Sequence, residues 1–175
     1  MKKLMAVFAL VLGFTSVSYA DLLVEPYLGY EMGKTKDPDG KLDGTQLGLR
    51  LAYKTPIMFW AGLDYTLGVS AESKPDAGAN EDAKRSTAYG VVGIDFPILV
   101  RAWVGYGFLN EIKLEDSGKL KGSNYKVGVA FTGLPFISLN LEYLNETFTE
   151  LDGNDLATDA KNDSYVLSVS LPLEF

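Results

Sequence analysis

Three oppositely charged pairs carry the chemistry most available to this sequence. Arg50 and Asp64 flank Thr55-Pro56, Asp95 and Arg101 flank Pro97, and Lys126 and Glu142 flank Gly133-Leu134-Pro135. If each segment folds back about its proline, the partners come face to face. Charges held in a narrow, poorly hydrated interior must be paired. Two chemistries follow. The pairs are either fixed salt bridges that fill an interior and set strand register, or a gate whose exchange opens a narrow ion path. Fixed pairing is the favoured expectation. Glu25, Glu31, Glu111 and Glu174 fall on the same inward parity, and their acidic excess would favour cations if a path existed.

Catalytic chemistry is narrowed by what is missing. The chain has no histidine and no cysteine. A Ser–His arrangement, a thiol nucleophile, a disulfide framework and a lipid anchor on cysteine are therefore excluded. No serine stands beside an alternative base, so no enzyme is expected. Asp37, Asp39 and Asp43, and again Asp152, Asp155 and Asp159, form acidic runs without calcium-loop spacing or its terminal Glu. They are expected to be solvated, with no metal and no cofactor. A formal net charge of −7 gives no basic footprint for nucleic acid.

The elements that must position these charges are strands. Tyr165, Leu167, Val169, Leu171, Leu173 and Phe175 share one parity, while Ser168, Ser170 and Glu174 occupy the other. Side chains alternate across a strand, so this stretch has one greasy and one mostly polar face. Seven earlier segments repeat the pattern, at about 22–32, 45–54, 58–70, 87–96, 99–113, 123–132 and 136–149. Short proline turns alternate with long polar connections at 34–44, 71–86, 114–122 and 150–162. Outward Tyr30, Tyr65, Tyr106, Tyr125, Tyr143 and Tyr165 fall near the long connections. Phe59, Phe96, Phe131 and Phe175 fall near the short ones. Strand 5 is expected to face Ile112 outward and Glu111 inward. A soluble sandwich or lipocalin-like barrel would bury the apolar parity. It is disfavoured because the polar parity is rich in Gly, Ser and Ala, which suits a cramped lumen rather than a water-facing surface. The apolar parity is also nearly free of charge over the roughly 9–11 residues that a membrane strand needs.

The fold expected is all-β: an eight-stranded antiparallel up-and-down transmembrane barrel over residues 21–175. Residues 1–20 read as a cleaved signal peptide, with Lys2 and Lys3, an apolar run and Ser18-Tyr19-Ala20. The eight strands and the terminal Phe resemble the small OmpA/OmpX-type outer-membrane barrels. The resemblance implies a bacterial outer-membrane location, contact with lipid and lipopolysaccharide, and assembly by the barrel assembly machinery. The terminal strand, with Tyr165, Leu167, Val169, Leu171, Leu173 and Phe175, would be the assembly signal. A monomer with a plugged, salt-bridged lumen is expected, presenting four external loops to a surface ligand. The alternative is a narrow gated pore or an OmpW-like channel for small solutes.

Overall fold

The computed structural model describes residues 21–36, 40–75, 81–114 and 118–175. The expected signal segment, 1–20, lies outside the described residues. Eight strands run in order: β1 (Asp21–Lys36), β2 (Gly40–Lys54), β3 (Phe59–Pro75), β4 (Glu81–Phe96), β5 (Val100–Leu114), β6 (Gly118–Phe131), β7 (Ser138–Leu151) and β8 (Asn154–Ser170). A two-residue segment, β9 (Leu173–Glu174), continues β8 along β1 beyond the break at Pro172. Every neighbouring pair is antiparallel, and β1 pairs with both β2 and β8, which closes the sheet. The expected all-β barrel is the observed one. Closure leaves no open edge, the condition for strands in lipid.

Strand parity divides the molecule into two environments. Outward positions are exposed and apolar, as at Leu47, Leu49, Leu51 and Tyr53 on β2. Their β2 neighbours Gln46, Arg50 and Ala52 are buried inside. Tyr106 pairs with Tyr125 and Tyr143 with Tyr165, the latter rings 5.5 Å apart, so four of the six expected tyrosines meet across strands, while Tyr30 and Tyr65 pair with other residues.

The strands are longer than the sequence pattern suggested. They run 14 to 17 residues, against roughly 9–11 needed to cross a bilayer. The connections at 34–44, 71–86, 114–122 and 150–162 are therefore largely strand, and they extend the barrel wall as β-hairpins. β3 continues from Tyr65 to Pro75, roughly 30 Å of strand past the tyrosine level. The β7–β8 hairpin turns on Asp152 and Gly153 alone, with φ of 51° and 84°. Asp-Gly suits a two-residue turn that needs positive φ at both positions.

The short turns share a different device. Met58, Leu99 and Phe136 each have φ between 62° and 68°. At Met58 and Leu99 this aims the carbonyl at the next strand. It accepts from Asp95 N at 2.9 Å and from Thr132 N at 2.8 Å. Left-handed backbone at a bulky residue costs about 1–3 kcal/mol.

Register also seats aromatic rings on glycines. Tyr27 lies opposite Gly48, Trp60 opposite Gly93, and Trp103 opposite Gly128. A Cβ added at any of these glycines would run into the ring it faces. Gly90 faces open space. Gly128→Ala is therefore expected to lower stability by about 1–3 kcal/mol, the usual cost of overpacking. Gly90→Ala should change it by less than about 0.5 kcal/mol. Urea unfolding of the refolded barrel checks both, and equal effects would refute the packing role.

Candidate functional site

The lumen is a stack of layers, and its centre is Arg50. Arg50 Nε donates to Asp64 Oδ2 at 3.0 Å, Nη1 to Glu25 Oε2 at 2.9 Å and Nη2 to Glu142 Oε1 at 3.2 Å. Its carboxylate partners come from β3, β1 and β7, so one guanidinium ties three strands to β2. The planar fork with five donors makes Arg suited to this role, and Lys is not equivalent. The guanidinium also lies 4.3 Å from the Trp103 ring centroid. That stacking stabilises a desolvated cation.

Neighbouring groups occupy the remaining lone pairs. Lys126 Nζ sits 2.7 Å from Asp64 Oδ2 and 3.1 Å from Glu142 Oε1. Tyr27 OH donates to Asp64 Oδ1 at 2.7 Å, Trp103 Nε1 to Glu142 Oε1 at 2.9 Å, and Ser170 Oγ to Glu25 Oε1 at 2.7 Å. Arg101 Nη1 reaches Glu25 Oε2 at 3.1 Å. Arg50, Lys126 and Arg101 thus balance Glu25, Asp64 and Glu142 in formal charge. All six are buried.

Below this layer Trp60, Trp103, Leu23, Ala52, Val91 and Ala130 pack as an apolar cluster. At the short-turn mouth, Arg101 Nε donates to Asp95 Oδ1 at 2.6 Å. Lys54 Nζ bridges Asp95 at 2.7 Å and Glu174 at 2.5 Å. Above the central layer lies a second charged group. Arg85 on β4 bonds Glu31 on β1, and its Nη2 meets Glu146 Oε1 on β7 at 2.6 Å. Asn162 Nδ2 donates to Glu146 Oε2 at 2.8 Å. Leu42, Ile112 and Phe148 then close the stack toward the hairpins, with Leu120 and Ala160 packed against them.

The sequence-derived pairs are placed as follows. Arg50 and Asp64 are directly opposite in register, as are Asp95 and Arg101. Lys126 and Glu142 are offset and meet diagonally, since Lys126 faces Leu144 and Glu142 faces Gly128. Two positions on β5 are corrected. Ile112 is buried inside, not outward, and Glu111 bonds Lys119 at 2.6 Å on the hairpin rather than entering the lumen. The cause is a β-bulge. Ala88 pairs with Leu109 and Tyr89 with Gly107, so Phe108 is skipped and the parity inverts beyond it. Arg85 was missed because 71–86 read as loop. Its signal was present, since Arg85, Thr87 and Tyr89 share one parity. The terminal residues Tyr165, Leu167, Val169, Leu171, Leu173 and Phe175 are all exposed on the outer face. Phe175 exchanges backbone hydrogen bonds with Leu22 at 2.9 and 3.0 Å.

A closed eight-stranded barrel, apolar outside and salt-bridged within, is a fold class, that of the small OmpA/OmpX-type barrels. Solved structures of that class are similar to this chain. Neisserial surface protein A superposes with a TM-score of 0.56 at 15% identity, covering 88% of this chain and 99% of that one. The outer-membrane enzyme PagL gives 0.58 at 14% identity, covering 84% and 99%. Ail, the attachment invasion locus protein of Yersinia pestis, gives 0.50 at 12% identity, covering 89% and 100%. At these identities the likeness establishes the fold. No protein-family model matches the sequence, and no curated protein does.

Arg50→Met leaves Glu25, Asp64 and Glu142 with two cations, Lys126 and Arg101, in place of three. It is expected to destabilise the barrel by about 3–5 kcal/mol, the usual cost of breaking a buried pair. Adding Asp64→Asn removes one of the carboxylates left behind. The double variant should therefore lose less than the sum of the singles, with a coupling of about 0.5–3 kcal/mol. Strictly additive losses in chemical denaturation would refute the network.

Proposed function

We propose that the chain is a scaffold of the outer membrane, with a plugged lumen and four external β-hairpins that form its working surface. The observation that carries this reading is the set of bonds crossing the lumen. Arg50 to Glu142 joins β2 to β7, Lys126 to Asp64 joins β6 to β3, Arg101 to Glu25 joins β5 to β1, and Arg85 to Glu31 joins β4 to β1. An eight-stranded barrel is just wide enough for side chains to fill. Here those side chains are tied to one another across the middle, which leaves a solute path to be opened only by breaking buried ion pairs.

The outward face of the hairpins supports an interaction role. Lys34 stands opposite Lys41, Lys36 opposite Lys161, and Lys113 opposite both Lys84 and Lys119. Like charges directly opposite each other destabilise a sheet. A partner bearing phosphate groups, such as the headgroups of lipopolysaccharide, would offset that repulsion. Acidic groups interleave with these rows, as Asp163 does opposite Lys34, so the surface is mixed rather than uniformly basic. Catalysis is not part of the reading. PagL is an enzyme, but in this chain the absence of histidine removes the usual general base. The terminal strand is assigned the role of assembly signal, supported by its uninterrupted apolar outer face.

Two measurements test the proposal. Refolded mature chain in a planar bilayer, with folding shown by a heat-modifiable gel shift, should show no conductance. Discrete cation-selective steps, altered by Arg50→Ala with Asp64→Ala, would establish the gated pore instead. Deleting Phe175 should lower the amount of barrel recovered in outer membranes several-fold. Unchanged recovery would remove the terminal strand from that role.

A further inference from the structure

The short-turn rim is apolar as well as strained. Ile57 is 71% exposed, Ile98 73%, Phe136 85% and Phe175 74%. Met58, Leu99 and Leu134 are exposed beside them. The turns read Thr55-Pro56-Ile57-Met58, Pro97-Ile98-Leu99 and Thr132-Gly133-Leu134-Pro135-Phe136-Ile137, with no charge in any of them. Charged groups near this end turn inward instead. Lys54, Asp95, Arg101 and Glu174 bond one another across the lumen mouth. The hairpin end is the opposite, with lysines and carboxylates along its outer face.

Three observations say what covers this rim. First, it adjoins the exposed apolar wall: Ile57 lies two residues from Phe59, Ile98 two from Phe96 and Ile137 two from Leu139, and all six are exposed. Second, Met58, Leu99 and Phe136 occupy left-handed backbone where Gly or Asn would be unstrained. Turn geometry alone therefore does not account for large apolar side chains there. Third, proline, isoleucine, leucine and phenylalanine offer a water-facing rim no hydrogen bonds from their side chains, whereas apolar side chains such as leucine and phenylalanine bury into the headgroup–acyl boundary.

We propose that the short-turn rim is a lipid-embedded surface: the three turns and Phe175 sit in the headgroup–acyl boundary of the near leaflet, and the barrel rides low in the membrane. The occupant is phospholipid. The rim then acts as a hydrophobic foot that fixes depth, while the hairpins stand clear on the other side.

The chain has no cysteine, so single reporters can be placed without background. Ile57→Cys, Ile98→Cys and Phe136→Cys are each spin-labelled in the full mature barrel refolded into phosphatidylcholine vesicles. Leu139→Cys serves as the wall control and Asp152→Cys as the aqueous control. Oxygen should broaden the three rim labels several-fold more than a water-soluble nickel complex does, as at Leu139→Cys. Rim labels that match Asp152→Cys would overturn the proposal, and would point to a soluble partner as the natural cover. Dipolar broadening between rim labels that disappears on dilution with unlabelled barrel would also overturn it, in favour of a second copy. A variant that fails the gel-shift test for folding is replaced by labelling the neighbouring turn residue, Met58, Leu99 or Leu134.

Discussion

The constraint on which the structure depends is that every charge inside the barrel must be met inside the barrel, by an opposite charge or by hydrogen-bond donors. A lumen this narrow replaces most water with protein atoms, and an unpaired ion there costs several kcal/mol. Arg50 meets the constraint for three carboxylates at once, because its donors diverge in one plane toward Glu25, Asp64 and Glu142. That geometry fixes more than local contacts. A slip of any one strand by a single residue would move its whole inward set into lipid and its lipid face into the lumen. The charged layer makes such a slip prohibitive, so the ion pairs act as register pins for a sheet whose backbone bonds are indifferent to register.

The aromatic residues complete the same task by volume. Trp60 and Trp103 come from β3 and β5, stand 6.4 Å apart between ring centroids, and fill the layer beneath Arg50. Each ring lies across a glycine on the neighbouring strand, which is how so large a side chain fits on the inside of a small cylinder. Trp103 then serves two layers. Its face supports the guanidinium and its Nε1 hydrogen-bonds Glu142. Packing and electrostatics are therefore coupled here, and an alteration to a glycine on β6 reaches the central ion pairs through one ring.

Most of this was legible in the sequence, because a period of two is a simple signal and the membrane enforces it. Inward and outward residues are assigned correctly along β1, β2 and β3 and through most of β6, β7 and β8. Legibility failed where the period itself breaks. The bulge at Phe108 inverts parity beyond it, which is why Ile112 and Glu111 exchanged roles. No residue in Gly107-Phe108-Leu109 announces it. Legibility also failed where strands leave the membrane. Once lipid no longer demands apolar residues, polar strand and polar loop look alike. Asp152-Gly153 did announce a tight hairpin, and the phase of Arg85 with Tyr89 did announce an inward cation. Both signals were outweighed by the composition around them. The diagonal meeting of Lys126 and Glu142 was not legible in detail, since a fold about a turn fixes parity but not the offset of two long side chains.

The two charged layers differ in a way that bears on what the lumen does. The central layer is balanced, three cations to three carboxylates. In the upper layer Arg85 lies between Glu31 and Glu146, and the extra carboxylate is met by neutral donors such as Asn162. An acidic excess of this kind would draw cations if it faced water. It does not, because Leu42, Ile112 and Phe148 close over it from β2, β5 and β7. Two of those three residues owe their inward position to strand extending beyond the tyrosine level, and Ile112 owes its own to the bulge. The same features that lengthen the hairpins therefore bury the upper charged layer beneath them. Long hairpins and a covered charged layer are one solution rather than two: the wall that carries the outer surface also supplies the residues packed over Arg85.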